Sequence, residues 1–380
     1  MLRATLKSLL SRKLRLFLSG AAVVLGVLFV SGALVLTDTL GRSFDNLFTD
    51  IYAYTDLQVS KKSEVRSLEG APVPVPLPAA DVARVQAVPG VASATGQVFI
   101  DGARVIGRNG KVVSAAGGPR FGTNWVGEDE LVKLREGRGP TADTEVAISA
   151  NVAERTGYHI GDQIGVLTRQ PKRTFTIVGI FGYPGGRDSL AGETTVAFTR
   201  PVAQELMLGQ PDVFNIIDVK VADQAALTQV QNQIAAALGP DYQVQTGEQL
   251  KTENSEGIRR ALSFFTYLLL GFAGVALFVG VFLILNTFSI VVAQRTQELA
   301  LFRAMGASRG QVIGSVLIEA VVIGLLASVL GLLLGIGVGA GLAKLAGRAL
   351  SGGALRLAPL GVPLSAVVAA FTVGVGVTVL

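Results

Sequence analysis

Glu319 is the only charge in the thirty-three residues from Gln311 to Ala343. A carboxylate at the centre of an apolar helix costs roughly 2.5 to 3.5 kcal/mol on insertion scales, so one that is kept either reaches a wet interface or pairs with another helix or loop. Asn286, in a second uncharged run, is a group that hydrogen-bonds from helix to helix in an apolar medium. A third candidate is "RTQELALFRAMGASR", residues 295–309, a charged island between two apolar stretches. Thr296–Met305 is predicted helical, with Gly306 as its C-cap and Ser308 placed to cap the next helix. Leu299, Phe302 and Met305 recur at threes and share a face flanked by Arg295, Glu298 and Arg303. A loop this short has no core of its own to cover that face. The cover is either lipid, over an interfacial amphipathic helix, or a groove on a cytosolic partner protein.

Elsewhere the chemistry is sparse. No G-x-x-x-x-G-K-[ST] occurs; "GRNGKV" at 107–112 has the wrong spacing and a valine in place of Ser/Thr, so ATP binding is not expected in this chain. There is no G-x-S-x-G or H-E-x-x-H. With no cysteine and a single histidine, thiolate and His-cluster metal sites are excluded. His159, in "GYHIGDQI", is read as structural, "EDE" at 128–130 as a solvated acidic turn, and "AAGGPRFG" at 115–122 as a connector.

The elements that must position these residues are mostly membrane helices. Half of the 380 residues are hydrophobic, 16% are charged, and the apolar ones are sorted into long blocks. The expected fold class is an integral membrane α-helical bundle of four spans, the last truncated, with a large α+β extracytoplasmic domain between spans 1 and 2. The segments read as follows: a basic N-terminus, 1–15, with Arg3, Lys7, Arg12, Lys13 and Arg15 and no acid; span 1, 16–37; the external domain, 38–260; span 2 with a stalk, 261–293; a cytoplasmic loop, 294–310; span 3, 311–343; an external loop, 344–361; and span 4, 362–380. Ser31 and Ala33 form a small-x-small cleavage pattern, but an uncharged core of twenty residues exceeds the ~7 to 15 of a signal peptide and favours an uncleaved anchor. The basic flank places the N-terminus in the cytoplasm. Lys344, Arg348 and Arg356, in a loop assigned outside, run against that rule. The 261–293 block is too long for a ~30 Å hydrocarbon core, hence the stalk or a strong tilt. Gly331, Gly335 and Gly339, overlapping with Gly337 and Gly341, form small-xxx-small spacings that favour close helix packing. The last run ends uncharged at Leu380, and the polypeptide is expected to continue.

The 38–260 segment holds 22 basic and 26 acidic residues, a net of −4, so the overall +5 belongs to membrane flanks and no nucleic-acid partner is expected. "GAPVPVPLP" is an extended connector. It leads to a helix with Val82, Val85 and Val88 on one face, ended by Pro89-Gly90. Strands are predicted at 97–100, 145–148, 164–168, 174–180 and in "FNIIDVKV". A helix capped by Asp223 and stopped at Gly239, with Leu227, Val230 and Ile234 inward, precedes a strand at "DYQVQT".

The island at 295–309 resembles the cytoplasmic loop of the FtsX-like permease family of ABC transporters, close to R-x-x-E-h-x-h-h-R-A-h-G-A, here Arg295, Glu298, Leu299, Leu301, Phe302, Arg303, Ala304, Met305, Gly306 and Ala307. Glu319 and a glycine-rich span follow at matching places. "VQAVPGVASATG", "EVAISANVAERTGYHIGDQIGV" and "FTIVGIF" are similar to the extracytoplasmic domain of macrolide-exporter and lipoprotein-release permeases. The resemblance implies a permease subunit in a bacterial plasma membrane, not itself an enzyme. It implies a coupling helix docked on a separate ABC-type ATPase subunit through Glu298, Leu299, Phe302, Arg303, Met305 and Gly306. ATP and Mg would sit on that partner, and the chain itself would carry no cofactor. Other implied partners are the bilayer, a second permease half or copy, and an extracytoplasmic protein. Export or extraction of a substrate by mechanotransmission is the leading expectation. A non-transporting relay to an external enzyme such as a cell-wall hydrolase, or an ATPase-free sensor, are the alternatives.

Overall fold

A computed structural model describes residues 13–65, 72–113, 118–304 and 309–379, with backbone alone for 13–19, 283–284, 287–304, 309, 311–313, 315–316 and 319. The chain divides into two compact units: Met1–Arg42 with Gly257–Leu345 and Leu357–Leu380, and Ser43–Glu256 with Ala346–Arg356.

The first unit is helical. Its elements are α1 (Lys13–Tyr52), then α6 (Gly247–Ala304), α7 (Arg309–Ser351) and α8 (Leu364–Val379), the numbers α2 to α5 falling in the second unit. Among the described residues three helices are long and apolar enough to cross a membrane, over Gly20–Tyr52, Gly247–Phe282 and Ala320–Ser351. The fourth apolar helix, α8, has 16 residues, shorter than the ~20 a bilayer core requires. Within this unit α1 and α6 share a hydroxyl pair, Thr37 and Thr266, 2.8 Å apart. Val23 and Val27 of α1 pack with Ala327 of α7 and Ala370 of α8. The helices overrun their apolar blocks. α1 continues through Asp38, Arg42, Asp45 and Asp50 to Tyr52, and α6 begins fourteen residues before Ala261.

The second unit carries β1 (Leu57–Lys61), β2 (Leu77–Pro78), α2 (Ala80–Gln86), β3 (Val91–Gln97), β4 (Phe99–Asp101), β5 (Arg104–Ile106), β6 (Arg120–Asn124), β7 (Lys133–Gly137), β8 (Glu145–Ser149), α3 (Ala150–Thr156), β9 (Gln163–Leu167), β10 (Arg173–Gly182), β11 (Thr194–Phe198), α4 (Arg200–Ala203), β12 (Val213–Phe214), β13 (Ile216–Val221), α5 (Leu227–Leu238) and β14 (Tyr242–Thr246). A four-stranded antiparallel sheet has the order β14-β1-β13-β3. A larger mixed sheet runs β4-β6-β11-β8-β10-β9-β5, with β7 also paired to β10. β13 and β14 flank β1 and are joined through α5, a split strand–helix–strand unit. In β13 strict alternation buries Ile217, Val219 and Val221, and in α5 Val230, Ile234 and Leu238 face inward. One core cluster joins both sheets, with Leu57, Phe175, Ile177, Phe198, Ile217 and Ile234 all essentially inaccessible. Three edge strands are blunted by side-chain amides in place of a partner strand: Gln86 bonds to β3, Asn215 to β4 and Gln231 to β14.

The predicted strands at 145–148, 164–168, 174–180 and "DYQVQT" and both predicted helices of this domain are present. The strand expected at 97–100 is broken at Val98, between β3 and β4, and "FNIIDVKV" at Asn215, between β12 and β13, because the chain passes from one sheet to another at each break. Asp223 caps a short 3₁₀ turn leading into α5, its Oδ1 accepting from Ala225 N at 2.9 Å, and Gly239 ends the helix at φ +95°. Seven strands, the two-residue β2 and the small-residue β3 among them, carry no clear pattern in the sequence. β11 is buried on both faces and so does not alternate, β7 is polar, β5 has three residues, β6 contains a glycine, and β1 alternates over only five positions. The connector reading of 115–122 is corrected in its second half: Arg120–Asn124 is a ladder strand, parallel to β11.

Candidate functional site

The described part of the 295–309 island, up to Ala304, is not a separate short helix. Its backbone is helical through Ala304 and continuous with α6, because no glycine or proline interrupts the chain between Gly280 and Gly306. Glu298, Leu299, Phe302 and Arg303 therefore lie on the last turns of a helix that begins at Gly247. Their side chains, and all of Met305, Gly306, Ala307 and Ser308, lie outside the described residues, as does the basic N-terminus to Arg12. Glu319 is placed by its backbone in the third turn of α7, with its side chain outside the description. Asn286 is on an exposed side of α6. By backbone position these residues are spread along α6 and α7.

Gly331, Gly335 and Gly339 are brought together, on the face of α7 that meets α1. A Cβ added at Gly331 would lie 2.6 Å from the Val27 Cβ, at Gly335 2.9 Å from the Leu28 carbonyl oxygen, and at Gly339 2.7 Å from the Gly32 carbonyl oxygen. The contact is backbone against backbone. Ser31 is buried in it, its hydroxyl donating to Val27 O at 2.7 Å, with Gly331 O at 3.4 Å across the helix pair. Gly337 and Gly341 face open space.

Within the second unit the segment after α7 is part of the domain. Gly192, at φ +85°, lies so close to the end of α7 that a Cβ there would meet Ser351, with the Ser351 carbonyl carbon at 2.7 Å. Leu355 is buried with Leu47, Tyr183 and Leu190. The turn before β11 is held by the buried Glu193, whose carboxylate accepts from the N–H groups of Leu190 and Ala191, each at 2.8 Å. Burial, with Glu193 beside it, pushes the Tyr183 hydroxyl well above the usual range. Nothing in sequence spacing marks Gly192 or Glu193, since their partners are set by the docked loop.

The remaining candidates are local. His159 is exposed, its Nδ1 4.0 Å from Asp162, which also caps the His159 N–H and pairs with Arg108. Asp129 of "EDE" closes its own turn by accepting from Leu131 N and Val132 N. The bidentate Arg138, with the Thr141 and Ala142 N–H groups, holds the Glu145 carboxyl far below the usual carboxylate range. That set clamps the turn before β8.

Residues 16–237 match the MacB-like periplasmic core domain, and residues 270–380 match the FtsX-like permease C-terminal region. An uncharacterized ABC transporter permease protein of Mycobacterium tuberculosis is 27% identical over 204 residues, 53% of this chain and 23% of that protein. The macrolide export ATP-binding/permease protein MacB of Acinetobacter baylyi is 35% identical over 129 residues, covering 33% and 19%. The cell division protein FtsX of Streptococcus pneumoniae is 36% identical over 76 residues, covering 20% and 25%. The chain thus spans about a quarter or less of the length of these relatives. A MacB-like periplasmic core followed by an FtsX-like permease region, on helices long and apolar enough to cross a membrane, makes this chain a member of the MacB/FtsX-like family of ABC transporter permeases, multi-pass proteins of the plasma membrane.

Proposed function

We propose that this chain transmits ATP-driven motion from a separate ABC-type ATPase to its extracytoplasmic domain, for export or extraction of a substrate. The observation that carries the reading is the continuity of α6: one helix starts directly after the sheet strand β14 and runs without a break to the coupling segment. At ~1.5 Å per residue its 58 residues measure about 87 Å, nearly three times a hydrocarbon core of ~30 Å. A helix that long is a lever with one end in the domain and the other at Glu298–Ala304. The N-terminus lies in the cytoplasm, and the α7–α8 segment is outside with the domain, which agrees with Ala346–Arg356 packing into the same compact unit as Ser43–Glu256. ATP and Mg belong to the ATPase. The apolar stretch of α6 is the least buried of the three long helices, which supports lipid and a second permease half or copy as its neighbours.

The test is capture of the ATPase on the coupling segment. Removing a buried phenylalanine side chain forfeits roughly 1.5 to 3 kcal/mol, so Phe302→Ala is expected to weaken ATPase co-purification roughly ten- to a hundredfold, and Phe302→Glu to abolish it. Both variants should insert normally. Full ATPase recovery with Phe302→Glu defeats the assignment and leaves the lipid-facing reading.

Glu319→Gln supplies an independent check. A carboxylate kept in an apolar helix at a cost is expected to make a charged contact in the working cycle, worth roughly 1.5 to 3 kcal/mol. The ATPase rate of the reconstituted complex should fall about tenfold or more while insertion is unchanged. A rate equal to wild type means the carboxylate merely sits in wet interface.

A further inference from the structure

The four-stranded sheet is apolar on one side and polar on the other, and the outer ends of α1 and α6 meet it on the polar side. In β13 Asp218 and Lys220 alternate away from the core-facing Ile217, Val219 and Val221. Register sets Gln245, Gln58 and Asp218 opposite one another across β14, β1 and β13. Gln58 Nε2 donates to Asp218 Oδ1 at 2.9 Å, and Gln245 Nε2 donates to Glu253 Oε2 on α6 at 2.6 Å. Tyr52, the last residue of α1, accepts from Asn254 Nδ2 on α6 at 3.1 Å and lies within electrostatic reach of both Asp218 and Glu253. One polar row thus ties the sheet to the two helices that leave it.

Asp218 is the poorly compensated member of that row. Its hydrogen-bond donor is a neutral amide. Lys220, the cation on the same face of the same strand, gives its ammonium to the Tyr54 carbonyl. Asp129 in the loop before β7 adds negative charge to its surroundings, and Tyr52 on α1, which itself faces Asp218 and Glu253, is neutral at ordinary pH. A carboxylate so placed is easier to keep neutral than ionised. We propose that Asp218 is a proton-operated latch at this joint: neutral, it lets the outer ends of α1 and α6 seat on the sheet; ionised, it calls for water and loosens them. The proposal concerns the joint alone and stands or falls independently of the ATPase reading.

The direction of the pH effect follows from the titration. Burial pushes the Asp218 carboxyl up to about 6, against the opposing bond from Gln58, with Asp129 raising it further and Lys220 lowering it. Free aspartate titrates near ~3.9. The seated form therefore holds a proton that the unseated form lacks through that interval. The stabilisation is fully present below about pH 4 and is lost as pH rises through about 6.

The chain has no cysteine, so spin labels are readily introduced at exposed Asn46 on α1 and Lys62 after β1 in the full-length protein in lipid nanodiscs. The pulsed electron paramagnetic resonance distance distribution is expected to be narrower at pH 5 and to broaden by pH 7.5, the broad population growing about tenfold between them and levelling off above about pH 6. Asp218→Asn, a permanent stand-in for the neutral acid, should keep the narrow distribution at both pH values. An identical wild-type distribution at pH 5 and 7.5 overturns the proposal, as does a pH response that survives in Asp218→Asn. If that variant fails to accumulate, Glu253→Gln decides: a retained response supports Asp218, and a lost response assigns the titration to Glu253 and overturns it.

Discussion

Gly335→Leu is expected to prevent normal assembly of the helix bundle. The added Cβ alone would stand 2.9 Å from the Leu28 carbonyl and would meet the Ser31 hydroxyl, so the obstacle is backbone and a buried side chain with no free rotamer space. Overpacking typically costs 1 to 3 kcal/mol where side chains can yield. Here α1 and α7 must separate, and in an apolar medium close packing is itself what holds helices together. The expected readout is a several-fold loss of full-length protein from the membrane and loss of the cooperative thermal transition in detergent. Gly331→Leu and Gly339→Leu should behave alike. Gly337→Leu and Gly341→Leu, in the same helix and facing open space, should accumulate as wild type. Equal behaviour of all five would mean that helix propensity, and not the α1 contact, governs the result.

Phe198→Ala is expected to remove a large share of the stability of the domain. Phe198 is fully buried at the end of β11, where its ring meets Phe175 edge-on at 5.3 Å between centroids. It belongs to the cluster that joins both sheets. Truncating a buried phenylalanine costs roughly 3 to 5 kcal/mol, through lost transfer energy and the cavity left behind. Against a total of about 5 to 15 kcal/mol for a domain, that is a large share. Pulse proteolysis of the full chain across a denaturant series should show the midpoint falling accordingly, with cleavage confined to the Ser43–Glu256 region. Val126→Ala, at an exposed site, should stay within about 0.5 kcal/mol of wild type. A Phe198→Ala shift as small as that would mean the two sheets do not share one core.

Chain patterns fix those features that a single element decides for itself. An uncharged run of about twenty residues reads as a spanning helix, because a helix satisfies its own backbone in lipid, and three of the four runs form helices of that length. Alternation along Ile216–Val221 has to be a strand with one face buried, and Asp223 and Gly239 bracket α5 by local hydrogen bonding and backbone conformation alone.

The tertiary structure decides wherever two distant segments share a contact. Five glycines on α7 satisfy the same spacing rule, and only the position of α1 separates Gly331, Gly335 and Gly339 from Gly337 and Gly341. β11 was illegible because it is buried on both sides by neighbours far away in the chain, and burial on both sides erases alternation. Gly192 reads as a turn glycine until the end of α7 is brought against it, some 160 residues later. Asp218 reads as an ordinary solvent-facing strand residue. Its upward shift comes from burial, against the opposing bond from Gln58, and desolvation is a property of what surrounds a group, which no local pattern encodes.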